Sequence, residues 1–302
     1  MLLIKKIFFY ILKILRLNNF KFKTEYGKVF LDFNNEGISQ VLFYKKKRES
    51  DKVELIREIL NAGDGVIDCG SNIGVYPIFE SNLVGKNGYV MCIEPDPRNI
   101  DVLRKNFKLM ESKKDLLEKA LGKINSEIEI SLYKKTNITR FSKIENKFKA
   151  ENNLDKLRYH KTKVIDFGEL LNSIKFDHSK IKLLRMDVEG AEIDILESIS
   201  NNINKVPNLA VLFETHPDFY TEEQLSEILE PFFKKGYKFK KLISSGSFEE
   251  KFFKLFKLKE TKIHFSDGFR RFQFDNVPKD LGIELINYKK PKLIRYVLLS
   301  KW

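Results

Sequence analysis

Apolar and polar positions along this chain follow two periods, and the segments in which each holds predict an α/β fold. From residue 21 to 44 apolar and polar residues alternate around Tyr26-Gly27-Lys28 and Asn34-Asn35-Glu36-Gly37. That pattern reads as short antiparallel strands with turns. Val53, Ile56, Ile59 and Leu60 recur at helical spacing and predict a helix over 51–60, with Ser50 or Asp51 as cap. Residues 66–69 and 89–93 are short apolar runs, as in parallel strands covered on both faces. Asp96-Pro97 opens a helix, since proline suits the first helical position, and Ile100, Leu103 and Phe107 give it an apolar stripe. Strands are expected at 182–187 and 209–213, with a helix between them whose inward residues are Ile193, Leu196 and Ile199. Thr221 and Gln224 form a capping box ahead of the stripe Leu225, Ile228, Leu229, Phe232 and Phe233. Residues 237–243 and 295–299 read as the last strands. Isoleucines alternating over 124–130 predict strands, and the polar 134–153 stretch a mobile loop or lid. Strands separated by helices mean a mostly parallel sheet covered on both faces.

The first 17 residues break this pattern. They hold no acid, and Lys5, Lys6, Lys13 and Arg16 fall at roughly 0°, 100°, 80° and 20° around a helix. Leu3, Ile4, Ile7, Phe8, Ile11, Ile14 and Leu15 lie mainly outside that arc. A basic edge beside a broad apolar face suits a helix lying in a membrane interface. A core-packing helix with solvated lysines fits as well, and a signal segment is disfavoured because no small-residue cleavage site precedes Phe20. The expected organisation is an amphipathic helix over 1–20 and a single domain over 21–302. No run of about 20 uncharged apolar residues exists, so a membrane span is not expected.

Composition narrows the class. Of 302 residues, 42% are hydrophobic, enough for a sizeable core and too many for a disordered chain. Two cysteines make neither a disulfide scaffold nor a four-thiolate zinc site, and point to a reducing, cytoplasmic compartment. Net charge is +13, but 44 of the 55 basic residues are lysine, whereas bidentate phosphate readout favours arginine. The charge still draws the protein towards anionic lipids or anionic substrates.

The strongest local signal is Val66-Ile67-Asp68-Cys69-Gly70-Ser71-Asn72-Ile73-Gly74, an apolar strand running into a glycine-containing turn and then a helix. Ligands of open α/β sheets bind at this end of the strands. Gly70 and Gly74 let the backbone approach a ligand, with Ser71 and Asn72 between them. About twenty residues on, Glu94 ends the second strand, where an acid can accept both hydroxyls of a ribose. Asp68 repels a pyrophosphate and welcomes a sulfonium, and the glycine spacing misses the dinucleotide fingerprint. S-adenosylmethionine fits this charge pattern better than a dinucleotide.

These residues resemble the FkbM-type methyltransferases, a branch of the class I S-adenosylmethionine-dependent fold. The likeness runs through 66–74, Ile93-Glu94-Pro95-Asp96-Pro97, Ala120-Leu121-Gly122, 184–192 and Phe213-Glu214-Thr215-His216, covering about 50–245 in order. Asp187-Val188-Glu189-Gly190-Ala191-Glu192 is its most specific part. Ser71 departs from the alanine that is frequent in the family at that place. The resemblance implies a Rossmann-like, mostly parallel seven-stranded sheet with helices on both faces, Leu121 and Asp187 at the cofactor, and O-methylation of a small hydroxylated molecule or glycan.

Methyl transfer from a sulfonium is an in-line displacement in which the protein brings the nucleophile close and aligned. A sugar hydroxyl needs help in losing its proton. Asp187 and Glu214 end two strands. Glu189 and Glu192 sit three apart on the expected first turn of the next helix, and His216 lies two residues past Glu214. These positions make Asp187, Glu189, Glu214 and His216 the catalytic candidates. Glu189 has a simpler use as a helix cap. Asp187, Glu214 and His216 could instead hold Mg²⁺ or Mn²⁺ to orient a diol, although no short ligand motif supports it. His160, His178 and His264 read as surface residues. Two other readings stay open at this point. One is a nucleic-acid methyltransferase, favoured by the charge but lacking an Asn-Pro-Pro-Tyr-like motif. The other is a membrane-associated subunit that binds S-adenosylmethionine without turnover.

Overall fold

The computed structural model describes residues 2–15, 20–33, 37–133, 139–141, 156–246 and 250–302. They group into two units. The first comprises Met1–Arg48, Asn61–Ala120 and Ser126–Val164, and the second Glu49–Leu60, Leu121–Asn125 and Ile165–Trp302.

The first unit opens with helix α1 (Leu2–Ile14) and a hairpin of β1 (Lys21–Thr24) and β2 (Gly27–Phe30), paired antiparallel as the alternation predicts. The expected strand pattern fails further on, because residues 38–45 form helix α2 (Ile38–Lys45). Phe43 and Tyr44 both pack on Phe9 of α1, with ring centroids 5.5 and 5.6 Å away. Successive side chains of a strand point to opposite faces, so the aromatic cluster favours the helix. Helix α3 (Ser50–Ile59) belongs to the second unit. Strands β3 (Gly65–Cys69), β4 (Tyr89–Ile93) and β5 (Lys113–Leu117) pair in parallel, with Asp68 opposite Cys92. All of β3 and β4 is buried, Asp68 of β3 included. Helices α4 (Val75–Val84) and α5 (Pro97–Phe107) connect these strands. Asp96 caps α5 by accepting from the Arg98 amide, with Pro97 at the first helical position as predicted. After β6 (Ala120–Leu121), strands β7 (Ser126–Tyr133), β8 (Thr139–Phe141) and β9 (Lys156–Ile165) form an antiparallel set. Apart from β8, the loop expected over 134–153 lies outside the described residues.

In the second unit, helix α6 (Phe167–Ser173) is followed by β10 (Ile181–Met186), α7 (Glu192–Asn202) and β11 (Ala210–Glu214), and the two strands pair in parallel. Then come α8 (Glu222–Lys234), with the predicted Thr221–Gln224 capping box, β12 (Lys238–Ser244), α9 (Glu250–Leu255), β13 (Lys262–Ser266), β14 (Phe269–Val277), α10 (Lys279–Asn287) and β15 (Ile294–Ser300). β15 runs antiparallel to β11 and to β12. The seven strands expected are thus present, β3 to β5 in one unit and β10, β11, β12 and β15 in the other. The β13–β14 hairpin is an addition, joined to β12 through β14. In α7 the inward residue is Ile195 rather than the expected Ile193.

The hairpin changes the reading of α3. Its N-cap is Glu49, and Asp51 caps nothing. Instead Asp51 is buried and accepts from the Arg271 guanidinium and the Ser266 hydroxyl, both at 2.6 Å. His264, expected at the surface, is also buried against α3, between Glu54 at 3.1 Å and Gln273 at 2.9 Å. Arg271 and Asp51 are both fully enclosed, and a buried ion left without its partner costs about 3–5 kcal/mol. Asp51→Ala should therefore lower the unfolding free energy by about that amount in urea titrations. Asp51→Leu combined with Arg271→Met should recover most of the loss.

Candidate functional site

In the first unit the predicted loop is drawn onto the end of β4. The amides of Gly70 and Ser71 both donate to the Ile93 carbonyl. Ser71 turns its hydroxyl back onto Asp68, 2.7 Å from the carboxylate, so the fully buried Asp68 is held at the end of β3. Asn72 adopts a left-handed conformation and its amide donates to Glu94 at 2.7 Å. Gly74 is needed for another reason. Its φ is +83°, and a Cβ there would stand 2.8 Å from Leu103 of α5. Glu94 thus joins two loops, since it also accepts from the Asp96 amide at 2.9 Å and from Asn99 at 3.3 Å. Burial raises its proton affinity. The Asp96 and Asn72 amides and Asn99 oppose the rise, the Asp96 charge adds to it, and the result is about 7. A carboxylate has about four acceptor positions, so Glu94 keeps capacity for a hydroxyl donor beyond these three bonds. Leu121, at the end of β6, is buried.

The second unit gathers the other predicted residues and several that the sequence hid. Asp187 follows β10 directly, and its Oδ2 accepts from Lys52 of α3 at 2.7 Å and from Arg185 at 2.6 Å. Lys52 is buried, 3.0 Å from Glu49 and 3.9 Å from Glu214, with its ammonium 4.6 Å from the centroid of the Tyr296 ring. Glu214 ends β11 and also lies 3.5 Å from Arg295 and 3.6 Å from Lys292. His216 stands between two acids, Nδ1 2.5 Å from Glu192 and Nε2 3.7 Å from Glu189. Glu189 is not on the first helical turn as expected, because α7 begins only at Glu192. Gly190 makes the break, with φ +93°, and a Cβ there would crowd the Phe219 ring at 3.0 Å.

The metal expectation finds no support in these contacts. Asp187 is taken by Lys52 and Arg185, Glu214 is surrounded by Lys52, Lys292 and Arg295, and His216 is paired with acids. Ammonium and guanidinium groups stand where a divalent cation would have to stand, and among the described residues no group of His, Cys, Asp and Glu is arranged to hold one. Pattern reading missed Lys52, Arg185, Lys292, Arg295 and Glu49. Only Arg185 left a signal, as a charge inside the apolar run Leu183-Leu184-Arg185-Met186. Cys69 and Cys92 are buried and not joined in a disulfide.

A glycine turn after the first parallel strand, an acid ending the second and a charged strand end at Asp187 define a class I methyltransferase fold. A family model of the methyltransferase FkbM domain matches residues 68–239, more than half of the chain. The chain belongs to the FkbM methyltransferase family and is an S-adenosylmethionine-dependent methyltransferase. It is similar to the solved structure of an S-adenosylmethionine-dependent O-methyltransferase from Thermotoga maritima, at 12% identity and a TM-score of 0.38, covering 94% of this chain and 86% of that one. It is also similar to precorrin-6y C5,15-methyltransferase from Geobacter metallireducens, at 11% identity, TM-score 0.38 and 83% and 89% coverage. A third is Aeropyrum pernix fibrillarin in complex with S-adenosyl-L-methionine, at 10% identity, TM-score 0.38 and 83% and 74% coverage. No curated protein matches the sequence.

The state of His216 is testable directly. Burial disfavours its charge, but Glu192, with Glu189 and Glu214 behind it, outweighs burial and raises the pKa to about 9. A folded-state pKa above the unfolded value contributes stability below about pH 6.5, and that stability is lost as pH rises through about 9. By NMR the imidazole should stay protonated at neutral pH and titrate near 9. Glu192→Gln should move the titration downward. An imidazole already neutral at pH 7 in the unaltered protein would refute the pairing.

Proposed function

We propose that this enzyme transfers the methyl group of S-adenosylmethionine to a hydroxyl of a sugar, a glycan or a related small polyhydroxylated molecule in the cytoplasm. The observation that carries the reading is the alternation of donors and acceptors around Asp187. Lys52, Arg185, Lys292 and Arg295 interleave with Glu49, Asp187 and Glu214. Such a surface suits vicinal hydroxyls, each of which donates and accepts.

In this reading the first unit binds the cofactor. Glu94 would accept from the ribose hydroxyls, the Asp68 carboxylate would favour a cationic sulfonium over a phosphate, and the Gly70–Gly74 backbone would let the ligand lie close, with Ser71 and Asn72 fixing the loop. In the second unit Asp187 receives the acceptor's proton. Bound S-adenosylmethionine would supply the methyl carbon for the new bond to the hydroxyl oxygen and the sulfur that would leave with both electrons of the carbon–sulfur bond. The hydroxyl proton becomes strongly acidic as the new bond forms, so a carboxylate already paired with Lys52 and Arg185 can still take it. His216, charged at neutral pH, acts as a donor to the acceptor and not as the base that its sequence position suggested. Glu214 and Glu189 orient Lys292 and His216 respectively.

Asp187→Asn should lower turnover about 10²- to 10⁴-fold while calorimetry shows unchanged cofactor affinity. Cell extract incubated with the enzyme and methyl-labelled S-adenosylmethionine should place the label in glycan or small hydroxylated metabolite, and the variant should remove that labelling. Label appearing in RNA or DNA would overturn the acceptor class. A second expectation concerns pH. Ribose hydroxyls favour the ionised form of Glu94, so cofactor binding should release a proton. Affinity should weaken as pH falls below about 7 and level off above it. Glu94→Gln should bind more weakly, by about 10-fold or more, and lose that pH dependence. A flat profile in the unaltered enzyme would take Glu94 out of the site.

A further inference from the structure

Helix α1 presents apolar residues on the side away from the protein. Phe9 and Leu12 are 3% and 4% exposed, and the Phe9 ring packs on Phe33 and Phe43 with centroids 5.3 and 5.5 Å away. Measured from Phe9 at about 100° per residue, Tyr10, Ile14, Ile7, Ile11, Leu15 and Phe8 occupy the arc from about 100° to 260°. All six are exposed, Ile14 at 76%, Tyr10 at 59% and Phe8 at 50%. A helix that only covers a core turns polar residues to that side. Single exposed apolar residues are common, but a contiguous apolar face marks a binding surface.

The charge around this helix says what it binds. Residues 1–48 hold eleven basic and three acidic residues, so they carry +8 of the chain's +13. Residues 1–17 contain no acid at all. Lys45, Lys46 and Lys47 are exposed and follow directly on Phe43 and Tyr44, which touch α1. A second copy of this chain would bring two such basic layers together, so self-association through this face is opposed by charge. No helix among the described residues is long and apolar enough to cross a membrane. We propose that the outward face of α1 inserts into the headgroup and acyl boundary of an anionic lipid leaflet, with the neighbouring lysines on the lipid head groups. Lipid binding stands without the methyl-transfer reading. Combined with that reading, it confines the enzyme to hydroxylated acceptors held at the inner surface of the membrane.

The test uses the full chain, floated with vesicles of phosphatidylcholine and phosphatidylglycerol or of phosphatidylcholine alone. It should float with the mixed vesicles. High salt should weaken the attachment without abolishing it, since the apolar part is not screened. Ile11→Glu with Ile14→Glu should reduce binding at least about tenfold per site, at unchanged melting temperature and cofactor affinity. Lys45→Gln, Lys46→Gln and Lys47→Gln should each reduce it about fivefold. The inference falls if the unaltered chain stays with the unbound fraction, or if the double glutamate variant floats equally well. A dimer that the same variant dissolves, without flotation, assigns the face to self-association and also overturns it. Loss of flotation with intact methyl transfer removes only the membrane inference, whereas flotation without methyl transfer removes only the proposed activity.

Discussion

Buried charge has to be matched by buried charge, and in the second unit that requirement is met largely by one helix. Glu49 at the cap of α3 pairs with Arg295, Asp51 with Arg271 and Lys52 with Asp187, while the half-exposed Glu54 and the exposed Glu58 reach Lys262 nearer the surface. These partners lie 135 to 246 residues away for the hydrogen-bonded pairs of Glu49, Asp51, Lys52 and Glu54. α3 is therefore grouped with strands β10 to β15 although it precedes β3 in the chain. The β13–β14 hairpin follows from the same constraint, since Arg271 and His264 have their partners on α3. The acidic strand ends at Asp187 and Glu214 meet Lys52, Arg185 and Arg295.

The first unit solves a smaller version of the problem with backbone. Glu94 is held by two amides and an asparagine. Amides compensate a buried carboxylate less fully than an ammonium does, so its proton affinity stays near neutrality. Donors supplied by a bound ribose complete what the loop leaves unfinished, which couples cofactor binding to the ionisation of this one side chain. The contrast with His216 is instructive. There two carboxylates flank an imidazole, and the pairing drives the proton on instead of off.

Much of the cofactor half was legible in the sequence. An apolar run into Gly70-Ser71-Asn72-Ile73-Gly74, with Glu94 closing the next strand, is a local pattern, and the Ser71 contacts with Asp68 inside it span three residues, although the ties to Ile93 and Glu94 span 22. The Thr221 capping box, the Asp96 cap and the buried strands β3 and β4 were legible for the same reason: each depends on neighbours in sequence. The alternation over residues 38–45 misled, because what decides there is the aromatic contact with α1 and not the local period.

The sequence by itself determined the parallel strands, the loop between the two glycines, the family and the acids that end the strands. Tertiary structure alone decided what those acids are. Lys52 looks like a solvent-facing lysine in a helical pattern, and only folding brings it within 2.7 Å of Asp187. His216 reads as a base until Glu189 and Glu192 close on its two nitrogens. Phe8, Ile11 and Ile14 read as core or membrane residues alike until Phe9 and Leu12 are seen to take the protein side. The physical reason is common to all three. Burial and charge are properties of surroundings assembled from distant segments, and a one-dimensional period records only which residues share a face.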